Sequence, residues 1–539
     1  MILDELRAAA QAAVDAWSEE AGISKALPVV FTVPPPHVET DVSIPTPLAA
    51  GKAAKCRPLD AAQAIADKIR APGTAQSVPP GFINFSFSPE ALAGNLAAIL
   101  KAPQEHGREP GLKPRSILLE FVSANPTGPV HLASGRAATL GDSLARILRR
   151  RGHAVATENY VNDAGRQVEL LGLSVKARYD KAAVPEDGYQ GDYIKDLAAA
   201  APPEAARWTP AEFSRFAVER MLAAHQADMR DFGTIFDLWF RESELHRRQA
   251  VENTLAKLKE LGRVKDRDGA VWLAAADGDS ADDKERVLVR SDGRPTYFLA
   301  DIAYHQDKLD RGHRELIDIW GADHHGYCAR MQDAMTALGR AKGTLKIILH
   351  QLVRLFRGQE AVKMSKRAGE FVTLRELFED VGVDACRYFF AKHSPTAHMN
   401  FDIELAKKQT QENPVYYVQY VHARIRSIFR EAPAKGVAPD QASANELRLL
   451  THPSERALLV KLAWFPDVLR VCERDLSPHA LPTYLGELAT LYHAFYEQCK
   501  VLDPAQPELS RARLALCDGV AVVIKDGLGL LGVSAPDQM

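Results

Sequence analysis

The chain has 539 residues, of which 46% are hydrophobic and 25% charged, the balance of a globular protein with three or four domains. Its 67 Lys and Arg and 70 Asp and Glu leave a net charge of -3, so overall charge does not indicate a polyanion partner, although a local basic face remains compatible with one. The six cysteines form no Cys-x-x-Cys pair, which argues against a zinc site and a disulfide framework. The N-terminus is unlike a signal peptide and no apolar run reaches the roughly 20 residues that span a bilayer, so we expect a cytoplasmic protein without membrane contact.

Residues 1–107 are predicted to form a small α+β domain. Apolar residues at helical spacing run from Leu3 to Trp17, and the apolar, proline-bounded segment 27–33 predicts a strand. A second helix is expected at about 60–70, and alternation in 81–87 predicts another strand. The Pro- and Gly-rich stretch that follows predicts a linker.

Beyond the linker, predicted strands alternate with predicted helices. The strands are expected at 116–122, 154–161, 316–320 and 345–350. With a helix at 136–150, this order predicts an α/β fold, a doubly wound, Rossmann-like parallel sheet over 108–408, with insertions around 175–290. From 409 to 539 the apolar spacing is helical throughout, which predicts an all-α C-terminal domain.

The first predicted strand of the sheet leads into a turn that suits phosphate. Residues 123–136 are rich in Pro, Gly and small polar residues and open a helix. Ligands bind at the carboxyl ends of strands in such folds, and a helix N-terminus offers free N–H groups and a positive dipole end. His131, just before the helix, can donate a hydrogen bond to phosphate oxygens. Alone, the segment is equally compatible with an ordinary strand-to-helix turn.

A second candidate segment lies far downstream. Lys363 and Lys366 stand three positions apart in a stretch that ends at Gly369. Two ammonium groups on a mobile loop can neutralise a triphosphate while charge develops on the leaving pyrophosphate. Alone, this stretch would be interpreted as a solvated basic loop. Together with the His131 turn on a doubly wound sheet, it favours a nucleotide site.

The two segments, His131-Leu-Ala-Ser134 and Lys363-Met-Ser-Lys366, resemble the two signature motifs of class I aminoacyl-tRNA synthetases. Further segments resemble arginyl-tRNA synthetases in particular. They are Glu120-Phe-Val-Ser-Ala-Asn-Pro-Thr-Gly-Pro129, Tyr160-Val-Asn-Asp-Ala-Gly-Arg166, Tyr189-Gln-Gly-Asp-Tyr-Ile194, Thr296-Tyr-Phe-Leu-Ala-Asp-Ile-Ala-Tyr-His305, Trp320-Gly-Ala-Asp-His-His-Gly-Tyr327, Asn413-Pro-Val-Tyr-Tyr-Val-Gln-Tyr420 and the C-terminal stretch 527–539. The resemblance runs in order from about 110 to 539, and 1–107 match only loosely.

The resemblance implies an arginine–tRNA ligase. Arginine and ATP would give arginyl-adenylate and pyrophosphate, and the arginyl group would then pass to the 3′-terminal ribose of arginine tRNA. The residues that it implies for arginine are Glu120, Ser123, Asn125, Tyr297 and Asp301. Two carboxylates and a phenol also suit a planar guanidinium on chemical grounds. Tyr297 and Asp301, four positions apart, would share one face of a helix.

The same resemblance implies the nucleotide site. The residues implied for catalysis are His131, Ser134, Lys363 and Lys366. Those implied for ATP are Pro126, His131, Ala133, Gly135, Asp323, His324, Gly326, Met364 and Ser365. Asp323, His324 and His325 invite a metal interpretation as well, but a third well-spaced ligand is lacking, so we expect no protein-bound metal. Mg²⁺ is expected only with ATP, held mainly by phosphates and water.

The first signature segment departs from the family's usual His-x-Gly-His. Ala133 adds a methyl group where close approach of adenine favours glycine, and Ser134 replaces an imidazole with a hydroxyl that cannot become cationic. Losing such a donor costs roughly 10²-fold or more in rate. We hypothesise that the intact Lys363-Met-Ser-Lys366 compensates in part by stabilising the same charge with its lysines.

The helical tail resembles the family's anticodon-binding domain, and residues 1–107 resemble, weakly, the domain that touches the outer corner of tRNA. The residues implied for tRNA are Tyr416, Tyr420, Arg424 and Met539. Tyrosines can stack on unpaired bases, and the arginines of this helix can pair with phosphates. The alternative, with the tyrosines in the core and the arginines on a solvated face, stays open. By family habit the enzyme is expected to be a monomer.

Three other functions were weighed. A degenerate paralogue that binds tRNA or arginine without charging is suggested by Ala133 and Ser134, but the retained lysines and carboxylates count against it. A cysteinyl-type synthetase would need a zinc–thiolate set that the sequence lacks. A general nucleotidyltransferase would leave the helical tail unexplained.

Overall fold

The structure is a computed structural model that describes residues 1–25, 27–35, 37–274, 286–358, 360–362, 372–438 and 441–539. Its first unit is a three-stranded antiparallel sheet, in the order β1-β3-β2, covered by helices. The elements are α1 (Ile2–Glu20), β1 (Val42–Ile44), α2 (Thr46–Ala54), α3 (Pro58–Ala66), β2 (Gly73–Val78), β3 (Phe82–Phe87) and α4 (Pro89–Lys101). In β3, alternate residues Ile83, Phe85 and Phe87 are buried, as the period of a strand with one apolar face requires.

The predicted strand at 27–33 is wrong. Only Thr32 pairs with another strand residue, in an isolated bridge to Ser43. The neighbouring backbone donors are satisfied by side chains instead, Val29 N–H by Gln11 Oε1 at 2.9 Å and Val30 N–H by Thr46 Oγ1 at 3.0 Å. The segment is extended with alternating burial, so its sequence pattern is that of a strand, but it does not join a sheet.

The central unit is built on a five-stranded sheet with the order β11-β10-β4-β5-β6, in which every neighbouring pair is parallel. The chain runs outward from β4 to β6 and then returns to place β10 on the other side of β4, so the topological switch point lies between β4 and β10. The elements are β4 (Ser116–Glu120), α5 (Leu132–Arg151), β5 (Ala154–Val161), α6 (Arg166–Tyr179), α7 (Asp192–Ala199), α8 (Pro210–Asp231), β6 (Leu238–Arg241), α9 (Glu242–Arg247), α10 (Ala250–Glu260), β7 (Val264–Arg267), β8 (Ala270–Leu273), β9 (Arg286–Val289), α11 (Tyr297–Asp310), β10 (Glu315–Gly321), α12 (His325–Ala337), β11 (Leu345–His350), β12 (Val353–Arg357), β13 (Glu360–Ala361), α13 (Leu374–Val381), α14 (Val383–Ala391), β14 (Met399–Asp402) and α15 (Ile403–Lys407).

Helices cover both faces of this sheet. On β4, Ile117 and Leu119 pack with α5 in one apolar core, and Leu118 packs with α11 and α12 in another. Burying a side chain of this size contributes about 1.5–3 kcal/mol, so a strand apolar on both faces is stable only between two helical layers. The doubly wound fold is confirmed. Helix α5 begins at Leu132, four residues before the predicted start, because His131 is its N-cap.

Helices α6, α7 and α8, which we call the three-helix insertion, join β5 to β6 and have an apolar core of their own around Leu171, Ile194 and Phe213. The small antiparallel sheet β7-β8-β9 follows β6. Strand β6 itself therefore lies within the range 175–290 where insertions were expected. The domain limits 107/108 and 408/409 stay predictions.

In the described residues after 409 the tail has helices and no strand, as the sequence predicted. Its helices are α16 (Pro414–Glu431), α17 (Ala444–Leu447), α18 (Pro453–Ala463), α19 (Phe465–Arg474), α20 (Ala480–Gln498) and α21 (Pro507–Leu530). The tail packs on α4 of the first unit and on α5 of the central unit. In the described residues, no helix combines the length and apolarity that crossing a membrane would require.

Candidate active site

A cleft opens at the carboxyl ends of β4, β10 and β11, at the switch point of the sheet. Its inner cavity is about 240 Å³. The lining includes Glu120 and Ser123, two of the residues predicted for arginine, together with Asp301. Open parallel sheets bind ligands at this place, because two neighbouring strands connect in opposite directions and leave a crevice. The other lining residues are Val122, Tyr160, Tyr304, His305, Asp318, Ile319, Trp320, Gly321, His324, Tyr327 and His350.

Three carboxylates stand side by side across the sheet. Glu120 is the register partner of Asp318 on β10 and of Glu158 on β5. We call Glu120, Asp318 and Glu158 the acid row. Residues paired in register point to the same face, here toward α11. Of the three, only Glu120 is predicted from the sequence, because the strand pairing that brings the other two beside it is set by topology.

The end of helix α11 supplies the cations that pair with the acid row, Lys308 on its last turn and Arg311 directly after it. The Lys308 ammonium donates to Glu120 Oε2 and, at 3.0 Å, to Asp318 Oδ1. Arg311 donates to both oxygens of Glu158, at 2.6 and 2.9 Å. Lys308 is 0% exposed and Asp318 1% exposed, so removing Lys308 would leave Glu120 and Asp318 without the cation that they share.

Burial and ion pairing act in opposite directions on these groups. Burial raises the pKa of Glu120, and the Lys308 charge offsets this only in part. Burial alone would also raise the pKa of Asp318, but the larger combined effect of Lys308 and His305 lowers it to about 2. Burial alone would lower the pKa of Lys308, yet the surrounding carboxylates raise it. Lys308 is therefore a permanent cation, and Asp318 a permanent anion, at neutral pH.

Asp301 joins the inner cavity to a second, more open one of about 480 Å³. Its Oδ2 accepts a hydrogen bond from the Tyr327 hydroxyl, and burial raises the pKa of Asp301. Tyr297 lines only the outer cavity and is 67% exposed. Tyr297 and Asp301 both lie on α11 and line the outer cavity, as their four-residue spacing predicted. Tyr297 does not reach the inner cavity, where Glu120 lies.

A further buried carboxylate was missed by the sequence analysis. Glu242 is 7% exposed, hydrogen-bonds to Tyr160, and has Asp301 near enough to raise its pKa further after burial. It follows β6 directly, at the carboxyl end of a parallel strand. The rule that led to His131 would have found it, had the short strand Leu238–Arg241 been recognised.

The first signature segment forms the N-terminus of α5. His131 Nδ1 accepts from the Ala133 N–H at 3.3 Å, and Ser134 is half-buried. A Cβ on Gly135 would lie 2.5 Å from a methyl group of Leu374, so this glycine permits close packing of α5 on α13. Asn125 is exposed and donates to Gln167 Oε1 at 2.7 Å, and Pro126 beside it is buried. Neither lines the two cavities.

The second signature segment, with Lys363, Met364, Ser365 and Lys366, lies outside the described residues. The residues that flank the gap are tied to the site. Val362 N–H donates to Leu355 O at 2.9 Å, and Thr373 forms an antiparallel bridge with His131. The chain therefore returns to the first signature segment directly after the second.

Residues predicted for ATP lie at the outer cavity. Asp323, His324 and Gly326 line it, between the end of β10 and the start of α12. His324 also lines the inner cavity, so the two cavities are contiguous. Within the described ranges, no cluster of three His, Cys, Asp or Glu side chains has the arrangement of a metal site.

Of the residues predicted for tRNA, Tyr416, Tyr420 and Arg424 lie on α16 and Met539 is the C-terminal residue. Tyr416 and Met539 line a cavity of about 420 Å³ between the tail and α13–α15. Tyr420 is half-buried and stacks with Tyr416, with ring centroids 6.3 Å apart. Arg424 donates to the Tyr496 hydroxyl at 2.7 Å and lies over that ring. The tyrosines are thus neither wholly core nor wholly exposed, and Arg424 is held by an aromatic partner.

Three family models match successive parts of the chain. The Arginyl tRNA synthetase N terminal domain matches residues 2–87, the catalytic domain of tRNA synthetases class I (R) matches 96–198, and the DALR anticodon binding domain matches 418–539. The strand order, the cleft at the switch point and these matches define an aminoacyl-tRNA synthetase of class I.

Curated relatives narrow the class to one family. The Arginine--tRNA ligase of Elusimicrobium minutum is 48% identical over 515 residues, 95% of each chain, and that of Desulforudis audaxviator is 47% identical over 477 residues, 85% of this chain and 84% of the relative. The chain belongs to the arginyl-tRNA synthetase family. The Thermus thermophilus arginyl-tRNA synthetase structure shares the fold, with a TM-score of 0.79, 24% identity and coverage of 99% of this chain and 100% of its own. The degenerate-paralogue alternative is not favoured by these relatives.

Proposed function

We propose that the protein activates L-arginine with ATP and transfers the arginyl group to the 3′-terminal ribose of arginine tRNA. The observation that carries this proposal is a set of carboxylates at and beside the inner cavity: Glu120 and Asp301 line it, and the buried Glu242 hydrogen-bonds to Tyr160 in its wall. Glu120 is matched by Lys308, whereas Asp301 and Glu242 have pKa values raised by burial. Burying carboxylates is costly unless a cation compensates them, and a guanidinium with five donors is suited to that role.

In this proposal the guanidinium lies between Asp301 and Glu242, and the α-ammonium lies toward Glu120 and Ser123. Ser123 Oγ already donates to Glu120 Oε1 at 2.7 Å, which fixes the carboxylate on the cavity side. The substrate carboxylate is then directed outward, to the cavity lined by Asp323, His324 and Gly326, where ATP would lie. The outer position of Tyr297 suits a wall of this passage.

The chemistry has two steps. In the first, a carboxylate oxygen of arginine bonds to the α-phosphorus of ATP, the bond to the β-phosphate oxygen breaks, and pyrophosphate leaves. The N-terminus of α5, His131, Lys363 and Lys366 would stabilise the charge that develops on the phosphates. In the second, a ribose hydroxyl of tRNA bonds to the arginyl carbonyl carbon and AMP leaves. Mg²⁺ would accompany ATP, bound mainly by phosphates and water.

We also propose, on the strength of the family relationship, that the enzyme works as a monomer in the cytoplasm. The tail would bind the anticodon arm of tRNA, with Tyr416 and Tyr420 as stacking surfaces and Met539 at the edge of the neighbouring cavity. Stacking on aromatic rings contributes about 1–3 kcal/mol per base, so half-buried tyrosines are suitable for this role.

The Asp301→Asn substitution tests the arginine site. It keeps shape and removes charge, so the KM for arginine in ATP–pyrophosphate exchange should rise about 10- to 100-fold, because a hydrogen bond to a charged group contributes about 1.5–3 kcal/mol. The KM for ATP should change little.

Asp310→Asn is the matched control, since Asp310 is an exposed aspartate at the end of the same helix. It should leave both KM values unchanged. An arginine KM that stays at the wild-type value in Asp301→Asn would contradict the proposed site. Tight binding of arginine tRNA without charging by the wild-type protein would contradict the activity itself.

A further inference from the structure

The turn between β4 and α5 is held from outside by the three-helix insertion. The Tyr193 hydroxyl on α7 donates to the Thr127 carbonyl at 2.8 Å. His225 on α8 donates from Nε2 to the Gly128 carbonyl at 2.7 Å. Tyr193 belongs to the stretch Tyr189-Gln-Gly-Asp-Tyr-Ile194, which resembles the family but has no role in the site described above.

The two contacts are built into the local sequence. A Cβ on Gly128 would lie 3.3 Å from the Tyr193 hydroxyl, so a larger residue would crowd the approach. Pro126 and Pro129 lack N–H groups and restrict the turn, which leaves its carbonyls as the groups that need partners.

Both donors are neutral in this setting. Burial raises the pKa of Tyr193, and burial lowers the pKa of His225. Each therefore keeps a single N–H or O–H donor for a carbonyl without bringing a charge beside the nucleotide region. A neutral histidine whose Nε2 donates to a carbonyl is held in one tautomer.

Helix α8 also contacts the element that follows the second signature segment. Asp228, three residues after His225, accepts from Arg375 Nε on α13 at 2.7 Å. Leu374 N–H at the start of α13 donates to the Val130 carbonyl at 2.9 Å. One helix of the insertion thus touches the turn before His131 and the helix after the second signature segment.

We propose that Tyr193 and His225 are positioning residues, which hold the Thr127 and Gly128 carbonyls so that the turn presents His131 to the substrates. The inference rests on the proposed arginine activation. Reacting groups must be held within about an ångström, and a misplacement of 1 Å can cost about 10²-fold in rate. The insertion then acts on the chemistry through two hydrogen bonds, without touching a substrate.

The test compares Tyr193→Phe, His225→Leu and His225→Gln in ATP–pyrophosphate exchange and tRNA charging. The first two remove a donor, and glutamine restores an N–H near the position of Nε2. Tyr179→Phe is the control, because the Tyr179 hydroxyl donates to the Pro203 carbonyl at 3.3 Å within the same insertion but away from the turn.

We expect kcat to fall about 10- to 100-fold in Tyr193→Phe and His225→Leu, with the arginine KM within about threefold of wild type, since the carboxylates of the inner cavity are unchanged. His225→Gln should recover most of kcat, and Tyr179→Phe should match wild type. Melting temperatures measured beside the rates separate loss of positioning from loss of fold.

Wild-type kcat in a folded Tyr193→Phe would overturn the inference, as would a rise in KM alone or equal losses in His225→Gln and His225→Leu. If His225→Leu does not fold, Tyr193→Phe still decides the question, because it removes only one oxygen atom. The proposed function fails separately, when the wild-type protein itself gives no arginine-dependent exchange or charging.

Discussion

The carboxylates of the cleft differ in what compensates them. Lys308 donates to Glu120 and Asp318 from a fully buried position, so these two carboxylates already share one cation before any substrate binds. Asp301 accepts a hydrogen bond from Tyr327, a neutral donor. A cationic substrate therefore gains most at Asp301 and at Glu242. This difference explains how an acidic cavity can select a guanidinium without being filled by its own lysine.

This arrangement predicts that arginine binding releases protons in mildly acidic solution. Burial raises the pKa of Asp301 above 3.8 and that of Glu242 above 4.5, so as the pH falls through the raised pKa values both protonate and arginine affinity drops. Bound guanidinium favours the ionised form and expels those protons. The effect on folding stability has the opposite sign. In the protein without substrate, burial disfavours the ionised form of both carboxylates, so their contribution to the free energy of unfolding rises as the pH falls through that range.

Calorimetric titration of arginine in buffers of different ionisation enthalpy, at about pH 5.5 and about pH 8, measures this release. Proton release should be larger at the lower pH and smaller in Asp301→Asn. Equal heats in all buffers at both pH values would show that these carboxylates are ionised before arginine binds.

At the scale of elements, the sequence predicted the sheet because β4, β10 and β11 are rich in apolar residues, and β11 was predicted with both ends correct. It failed where tertiary contacts decide. The segment 27–33 has the pattern of a strand, but Gln11 and Thr46 take its backbone donors. Strand β6 is only four residues long, too short for a clear period, and missing it also hid Glu242.

Glu120 and Asp301 were predicted through the family resemblance, and both line the inner cavity. Asp318, Glu158 and Lys308 were not named, because their roles follow from strand register and from the face that α11 presents. Neither can be derived from local sequence.

We expect the two signature segments to share one task, and we expect Ser134 to weaken the first. If Lys366 carries more of the charge on pyrophosphate, Lys366→Ala should lower the rate of ATP–pyrophosphate exchange by at least about 10²-fold, nearly abolishing activation. The exposed Lys342→Ala is a control for loss of one positive charge. A decrease of only a few-fold would show that Lys366 does not stabilise the charge on pyrophosphate in place of the missing imidazole.

At the scale of the molecule, ion pairs connect the tail to the central unit. Glu473 on α19 accepts from Arg115 at 2.5 Å, from Arg151 at 3.0 Å and from His153 Nε2 at 2.8 Å. The Arg115 N–H donates to His153 Nδ1 at 3.2 Å, which leaves Nε2 as the ring nitrogen that donates to Glu473. The Glu473 carboxylate thus accepts from three side chains of the central unit. Arg115 directly precedes β4, Arg151 is the last residue of α5, and His153 follows that helix.

Replacing that carboxylate should weaken the whole fold. Glu473→Gln is expected to lower the free energy of unfolding by about 2 kcal/mol, less than for a fully buried pair because Arg115 stays about a third exposed. Glu487→Gln, which removes the exposed partner of Lys461 on the same tail, should cost about 0–1 kcal/mol. Urea denaturation of both variants measures the difference, and equal losses would contradict the importance of this contact.

The measurement that tests the central claim most directly is charging of total tRNA by the purified protein with ATP and Mg²⁺, for arginine beside lysine. We predict arginine-specific charging, which would also show that Ser134 is compatible with catalysis. Tight binding of arginine tRNA with no arginyl-tRNA formed would contradict the account and leave a tRNA-binding protein on a synthetase fold.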